Sequence, residues 1–412
     1  MNKDKHIPQG YKDSPLGIIP KEWELKRLGE IVTRMQLGGN YENSSSQNGV
    51  PLIKMGNIGR GKIIVSQLQY LAANAQYDKS DILKKYDLLF NTRNTMELVG
   101  KVAIWKNELP LAVYNSNLLR IEFNKNIVFS NIFANYYFNS DRSLDQLKRY
   151  ATGTTSVAAI YSKDLLLFKF VLPSLDEQKH ICSILQLWDT AIEKQSELIE
   201  KLKLRKRALM QQLLTGKKRL LGFSGEWKRI KAGDIFMSSS VRGKRSEVLL
   251  SATQEHGVIP RDQLEGRVTM PTGNLDSFKL VEVGDFVISL RSFQGGIEYS
   301  EYKGIVSPAY TVLKPVKEID NSFYRFYFKS ADFIGHLAIA VIGIRDGKQI
   351  SYEDFCFVKI PYPRIEEQKA ISAILIQAEK EIELAKEKLS NLQSQKRGLM
   401  QQLLTGKKRV SI

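Results

Sequence analysis

Apolar residues recur at alternating steps of three and four in two long segments of the chain. The first segment has eight apolar residues at the ten positions of this register, which are Ile181, Leu185, Trp188, Ile192, Gln195, Ile199, Leu202, Lys206, Leu209 and Leu213. The second has nine at ten, which are Ile371, Leu375, Ala378, Ile382, Ala385, Leu389, Leu392, Lys396, Leu399 and Leu403. Such alternation over more than four heptads predicts a coiled-coil seam, not a helix on a globular core.

Turn and breaker residues bound both segments. Pro173 and Pro363 precede them, and the pairs Thr215-Gly216 and Thr405-Gly406 follow them. These signals predict helices of roughly 40 residues, each about 60 Å long.

The sequence contains an internal tandem repeat. Lys206–Arg219 (KRALMQQLLTGKKR) and Lys396–Arg409 (KRGLMQQLLTGKKR) are identical at 13 of 14 positions, at an offset of 190 residues. The same offset aligns Glu177-Gln178-Lys179 with Glu367-Gln368-Lys369. The segments around Trp23 and Trp227 match at a different offset, 204. The sequence at the two ends of the repeat is therefore the same in both copies, while the sequence of its middle differs. This pattern indicates one shared scaffold that carries two different recognition domains.

Each repeat opens with the Trp-containing segment, continues through about 140 residues of short β-rich runs, and ends in the long helix. We therefore predict an α+β fold, with two mixed α/β domains and two long helices paired as an antiparallel coiled coil. The predicted parts are a first domain at 1–172, a first helix at 173–219, a second domain at 220–362, and a second helix with a tail at 363–412.

The helices could pair within one chain or between two chains. Two matching helices in one chain favour the intramolecular pair, which would give the tandem repeat a pseudo-twofold axis and relate its readers as half-site readers are related.

Composition narrows the class of partner. The chain of 412 residues has a net charge of +17, which favours a polyanion such as the phosphate backbone of a nucleic acid over a surface kept basic for solubility. Two distant cysteines and four scattered histidines suggest neither a disulfide framework nor a zinc site. The polar start and short apolar stretches predict a cytoplasmic protein that does not associate with membranes.

Several quoted motifs together resemble the specificity (S) subunit of Type I restriction–modification systems, over essentially the whole chain. They are Gly225-Glu226-Trp227, Pro173–Ile181 (PSLDEQKHI), Pro363–Ile371 (PRIEEQKAI), the twin LMQQLLTGK stretches and Gly304–Tyr310 (GIVSPAY). The first half departs from the last motif at Ala112–Asn117 (AVYNSN).

This resemblance implies a subunit that binds double-stranded DNA and has no catalytic centre or cofactor of its own. Two variable domains would each read one part of a split site. The helices would set the distance between the domains and bind two modification subunits, which carry S-adenosylmethionine and methylate adenine. Restriction subunits, which are ATP-driven motor-nucleases, would complete the enzyme.

The absence of catalytic motifs agrees with this interpretation. The sequence has no Gly-rich phosphate loop ending in Lys-Ser or Lys-Thr, and no Asn-Pro-Pro-aromatic or Asp-Pro-Pro-aromatic motif for adenine methylation. Other functions remain open: a coiled-coil scaffold that only assembles proteins, a stand-alone hydrolase, or the specificity subunit of a methylation-only defence system.

Sequence readout needs Arg, Lys, Asn, Gln or similar polar side chains on loops at the groove edges. The candidates in the first domain are Asn91, Arg93 and Asn94, after a strand ending at Phe90, and Lys54, Asn57 and Arg60. Those in the second are Arg291, Ser292 and Gln294, after a strand ending at Ile288, and Arg242, Lys244, Arg245, Arg345 and Lys348. Arg93 and Arg291 hold matching places in the two halves.

Two further features have alternative interpretations. The run Lys201–Arg207 (KLKLRKR) is either a cationic face favoured by the C-terminal helix dipole or a site for phosphate or a partner subunit. Tyr310 is expected in the domain core in preference to a stacking contact with a base.

Overall fold

The computed structural model describes residues 7–72, 74–244, 246–264, 275–290, 292–341 and 350–410, and only the backbone of 293–294 and 338–341. Contacts divide the chain into two compact units. Unit 1 is Met1–Lys194 with Lys388–Ile412, and unit 2 is Gln195–Glu387. Each unit therefore takes a part of both long helices. The four parts predicted from the sequence are consecutive stretches of the chain, whereas the two units are groups of residues in contact. The four-part division therefore stays a prediction.

The strands are short. Those of unit 1 are β1 (Tyr11–Lys12), β2 (Ile19–Pro20), β3 (Glu24–Arg27), β4 (Val32–Leu37), β5 (Asn43–Ser44), β6 (Pro51–Ile53), β7 (Gly61–Lys62), β8 (Gln69–Leu71), β9 (Leu88–Asn91), β10 (Arg93–Asn94), β11 (Val102–Ile104), β12 (Val113–Tyr114), β13 (Leu118–Phe123), β14 (Thr152–Gly153), β15 (Ala158–Ala159) and β16 (Lys169–Leu172). Those of unit 2 are β17 (Lys228–Lys231), β18 (Phe236–Ser239), β19 (Leu250–Thr253), β20 (Gly257–Pro260), β21 (Lys279–Val281), β22 (Phe286–Ile288), β23 (Glu298–Tyr299), β24 (Gly304–Val306), β25 (Thr311–Pro315) and β26 (Lys359–Tyr362).

Two helices are far longer than the others. The α-helices are α1 (Leu28–Ile31), α2 (Asn131–Phe138), α3 (Asp141–Tyr150), α4 (Ser162–Leu165), α5 (Leu175–Leu213), α6 (Ser292–Gly295), α7 (Asn321–Tyr327), α8 (Ala331–Val341), α9 (Tyr352–Phe357) and α10 (Ile365–Leu403). Both α5 and α10 have 39 residues, so the predicted helix lengths are confirmed.

Unit 1 is built on a five-stranded sheet in the order β4-β13-β9-β11-β7. Neighbouring strands are antiparallel except β7, which runs parallel to β11. A second sheet has the order β12-β6-β8-β5. Aromatic side chains of α2 and β16 form the centre of the core, where the rings of Tyr137 and Phe170 stack at 4.5 Å between centroids.

Unit 2 repeats the central arrangement with the order β18-β25-β22-β23. Phe236, Tyr324 and Phe328 occupy the middle of its aromatic core. Tyr310 is half-buried and packs against a smaller cluster of valines, as expected for a core residue. The tandem α+β fold predicted from the sequence is confirmed.

The heptad register is confirmed along both long helices, because all twenty of its positions are buried or half-buried. In unit 2 the amide of Gln195 donates to the carbonyl of Ala385 at 2.9 Å, and Lys206 pairs with Glu379 at 2.6 Å. Residue numbers fall along α10 as they rise along α5, so the helices pair antiparallel within one chain.

Unit 1 contains the equivalent helix pair. Lys396 pairs with Asp189 at 2.5 Å, and its ammonium lies 5.1 Å from the centre of the Tyr136 ring. In unit 2, Lys206 lies 5.2 Å from the ring of Phe326. The one lysine in each heptad seam is thus neutralised by a carboxylate of the other helix, which explains how a charge is tolerated there.

A buried carboxylate in each unit joins three distant segments of the chain. Glu177 is 1% exposed and accepts hydrogen bonds from the indole of Trp23 at 3.0 Å and from Nε of Arg409 at 2.7 Å. We call this group the carboxylate clamp of unit 1. Its counterpart in unit 2 is Glu367, which accepts from Trp227 at 2.9 Å and from Arg219 at 2.7 Å.

The neighbouring repeated residues complete each clamp. Gln178 donates to the carbonyl of Pro173 at the helix start, as Gln368 does to that of Pro363. Gly406 has a φ of +73°, and a Cβ there would lie 2.3 Å from the ring of Pro20. The repeated Trp, Glu-Gln and Thr-Gly-Lys-Lys-Arg residues are therefore parts of one contact made twice.

We expect Glu177→Ala to lower the free energy of unfolding of unit 1 by about 2–4 kcal/mol, because it leaves the indole N–H of Trp23 without its acceptor and removes both hydrogen bonds from Arg409 to Glu177, so that Arg409 keeps only Glu22. Hydrogen exchange resolved by peptide should show faster exchange in unit 1 than in unit 2. The matched control is Asp145→Ala, which removes an exposed ion pair with Lys148 and should change little. Equal destabilisation by both variants would contradict this role.

Candidate nucleic-acid interface

Polar loops lie together at one end of the strands of the five-stranded sheet in unit 1. There β4 and β9 end and β13 begins, because β13 is antiparallel to both. The segment 115–117 hydrogen-bonds to the loops on either side: Thr92 N donates to the carbonyl of Asn117, and Ser116 N donates to that of Gly39. The end of β6 joins them, since Asn115 N donates to the carbonyl of Ile53. We call this the polar edge of unit 1.

Three cations lie along this polar edge. Arg93 is exposed on β10, immediately after β9. Lys101 precedes β11, and its carbonyl accepts from the backbone N–H of Asn91 at the end of β9. Arg60 precedes β7 at the next position across the sheet. Burial lowers the pKa of Lys101, and the nearby charge of Arg60 lowers it further.

Within the part of the chain that the structure describes, none of these three cations forms an ion pair. Like charges held together without carboxylates are stabilised by an anionic ligand. The polar edge is thus suited to a phosphate backbone.

Unit 2 has a corresponding polar edge where β18 and β22 end and β25 begins. Arg242 and Lys244 are exposed in the loop after β18, which runs beside β21 because Leu280 N donates to the carbonyl of Val241. Lys279 donates to the carbonyl of Tyr310 at 2.6 Å. Burial, and then the charge of Arg242, lower the pKa of Lys279. Each polar edge therefore holds a close pair of cations.

Three of the residues predicted to read DNA have buried side chains, and their role at DNA stays a prediction. The strand extends one residue past Phe90, and the Asn91 side chain is fully buried at its end. Asn57 is 6% exposed and donates to the carbonyls of Ile64 and Gln67, which fixes a turn. Ser292 is 1% exposed, and its hydroxyl accepts from the backbone of Ser289.

The other predicted residues differ in position. Asn94 is half-buried beside Arg93, and its side chain accepts from the N–H of Thr95. Lys54 follows β6 and is described below. The backbone of Gln294 lies in α6, but its side chain lies outside the described residues, and so do Arg245, Arg291, Arg345 and Lys348. A role of any of these residues at DNA stays a prediction.

Sequence reasoning missed Lys101 and Lys279. Neither stands in a local motif, and each reaches its polar edge only through strand pairing. The run Lys201–Arg207 is largely occupied by contacts within the helices: Lys203 pairs with Glu200, and Arg205 and Lys206 pair with Glu381 and Glu379 of α10. These contacts favour its interpretation as a cationic helix face.

A polar cluster lies next to the polar edge of unit 1. The ammonium of Lys54 donates to Oδ1 of Asn43 at 3.1 Å and to Oε1 of Gln69 at 2.6 Å. The cluster borders a cavity of about 360 Å³, whose walls include Ile64 and Leu68. A hydrogen bond fixes the chain just before β5, the strand that contains Asn43: the hydroxyl of Tyr41 donates to Asp81 at 2.6 Å.

No three His, Cys, Asp or Glu residues of the described chain are grouped to hold a metal ion. Of the helices in the described ranges, none is long and apolar enough to cross a membrane.

Comparison with known proteins gives a consistent result. The family model for the Type I restriction modification DNA specificity domain matches twice, at residues 20–204 and 224–394. The MjaX type I restriction enzyme specificity subunit of Methanocaldococcus jannaschii is 27% identical over 98% of this chain and 97% of its own length. The EcoR124I/EcoR124II specificity subunit of Escherichia coli is 28% identical over 46% of each chain.

Solved structures are similar in fold. A chain from a type I R-M system, solved in a study of complex assembly and conformational transition, has a TM-score of 0.58 and is 17% identical, over 94% of this chain and 99% of that chain. The S subunit of a Type-I restriction-modification system from M. genitalium has a TM-score of 0.52 and is 15% identical, over 95% and 96% of the two chains.

If the polar edge contacts phosphates, replacing both Arg60 and Lys101 by Ser should weaken DNA binding to all sequences alike. The slope of log affinity against log salt should fall by about 1 for each phosphate that the variant no longer binds. The matched control replaces Lys84 and Lys85, two exposed cations before the opposite end of β9. Titration of labelled duplex at several salt concentrations measures both variants. The same decrease of slope in the control would indicate that only net charge matters.

Proposed function

The chain belongs to the Type I restriction–modification DNA specificity family, and we propose that it reads a bipartite double-stranded DNA site, with one block of bases for each unit. The observation that carries the proposal is the pair of polar edges. Both lie at the same ends of the same strands in the two units, and they carry different side chains.

The shared and the differing residues divide by position. The clamps and the helix register are repeated, while the segment directly before β13 is Asn115-Ser116-Asn117 and that directly before β25 is Pro308-Ala309-Tyr310. Residues that contact base edges must differ if two units read different bases, whereas the scaffold can stay the same. This division supports one reader in each unit.

The cations and the polar side chains have separate roles in the proposal. Arg60 with Lys101, and Arg242 with Lys279, contact phosphates and supply affinity that does not depend on sequence. Arg93 and the polar groups beside it contact base edges, where an arginine bonds best to the O6 and N7 acceptors of guanine.

As a specificity subunit, the chain is a non-catalytic component. We infer that it assembles two modification subunits for adenine methylation and, through the complex, the motor-nuclease subunits for restriction. Large apolar side chains left exposed on the long helices support a protein partner there, namely Leu187, Leu198, Leu204, Ile376 and Leu384.

Arg93→Ala should relax recognition in only one block of the site, because only unit 1 contains this side chain. Without its bidentate base contact, the variant should have about 1–3 kcal/mol less discrimination at one base pair. Mapping of methylated adenines across the host genome measures both blocks at once. Lys85→Ala is the control, since this exposed lysine precedes the opposite end of β9. Equal weakening at all sequences would place Arg93 on a phosphate instead.

The assembled methyltransferase should contain two modification subunits for each copy of this chain, because each repeat ends in a long helix of the same length whose first and last turns repeat the same residues. Native mass spectrometry of the complex purified from the host measures this ratio. A single modification subunit at saturating concentration would contradict the proposed assembly.

A further inference from the structure

The polar cluster of Lys54, Asn43 and Gln69 offers hydrogen-bond donors beside a cavity that Ser45, Ser66 and Gln67 also line. A lysine ammonium can only donate, so each carboxamide must turn its oxygen toward Lys54. The amide nitrogens then lie on the far side. Two of the three ammonium protons are used, which leaves one proton of Lys54 and the exposed N–H₂ of Gln69 for a ligand. The cluster is therefore a set of donors.

The cluster is held in place before any ligand binds. The nitrogen of Asn43 donates to the carbonyl of Tyr41 at 2.7 Å, and the Tyr41 hydroxyl is fixed by Asp81. The Tyr41 ring packs so closely on Gly39 that a Cβ there would lie 2.2 Å from it. Asn43 is thus a positioning residue, and Lys54 and Gln69 are the groups free to contact a ligand.

The cluster lies beside the polar edge of unit 1, where a side chain that contacts base edges is expected. Lys54 directly follows β6, and the carbonyl of Ile53 accepts from Asn115, which belongs to the polar edge. The cavity beside it has a volume of about 360 Å³ and includes the apolar side chains of Ile64 and Leu68. A concave site with apolar walls accepts the edge of a flat base, whereas the exposed Arg60, next to the half-buried Lys101, suits a hydrated phosphate.

We propose that Lys54 and Gln69 read a guanine in the block recognised by unit 1. This inference rests on the proposed function and adds the identity of one base. In the major groove, guanine presents two acceptors, N7 and O6, while adenine and cytosine each present an amino donor and thymine has one acceptor beside a methyl group. A set of donors therefore selects guanine and rejects a base that places a donor against it.

The test is methylome mapping in the host, with the native complex and variants of this chain. Lys54→Met should make one G·C pair of a single block degenerate, with discrimination reduced about 10-fold. Gln69→Glu places an acceptor where the donor stood, and it should disfavour guanine at the same pair. Lys85→Met is the control for charge and length, and thermal unfolding of each purified variant verifies that it is folded.

The outcomes separate the two proposals. If the wild-type site is one uninterrupted block, the bipartite function fails, while the base pair that Lys54→Met relaxes still decides what the cluster reads. An A·T pair that becomes degenerate, unchanged specificity in folded Lys54→Met and Gln69→Glu, or uniform weakening at all sequences would each overturn the reading of guanine. Uniform weakening would show that the donors bind phosphate. Gln69→Leu, which removes the donors without adding charge, decides the matter if Lys54→Met does not fold.

Discussion

The whole scaffold depends on two buried carboxylates. Removing a carboxylate from water costs several kcal/mol unless donors replace the water, and for Glu177 those donors are an indole and a guanidinium. Trp23 precedes Glu177 by 154 residues, and Arg409 follows it by 232. The charge can therefore be buried only when the Trp-containing segment, the start of one long helix and the tail after the other have come together. Glu367 imposes the same condition on unit 2.

This constraint explains what the repeats share and where they differ. The Trp and Arg residues that bond to the carboxylate are duplicated, and so are Gly216 and Gly406, whose left-handed backbone brings the chain against Trp227 and Pro20. The residues at the polar edges are under no such constraint, since they lie at loop ends and contribute little to the clamp. The segment Asn115-Ser116-Asn117 before β13 in unit 1, for example, differs from Pro308-Ala309-Tyr310 before β25 in unit 2. A stable, repeated frame thus leaves the edges of both sheets free to change without loss of folding.

The fold could be predicted from the sequence further than the site could. The heptad register needs only periodicity, and both helices follow it from Ile181 to Leu213 and from Ile371 to Leu403. Periodicity does not fix the residue at which a strand ends, and for this reason Asn91 was expected in a loop but lies buried at the end of β9. Asn57 is of a residue type that can contact base edges, but its amide donates to two backbone carbonyls and fixes a turn. Lys101 and Lys279 reach the edges through strand pairing, which no short stretch of sequence reveals.

Unit 1 is built from two separate stretches of the chain, and this has a consequence for biosynthesis. Its second piece, Lys388–Ile412, is made only after all of Gln195–Glu387. At about 5–20 residues per second, a ribosome needs about 10–40 s to synthesise that intervening stretch. Throughout this time Trp23 and Glu177 have been made but Arg409 has not. The half of the protein that is synthesised first is thus the half that is completed last, and a chain that stops early in its second repeat lacks part of its first unit as well.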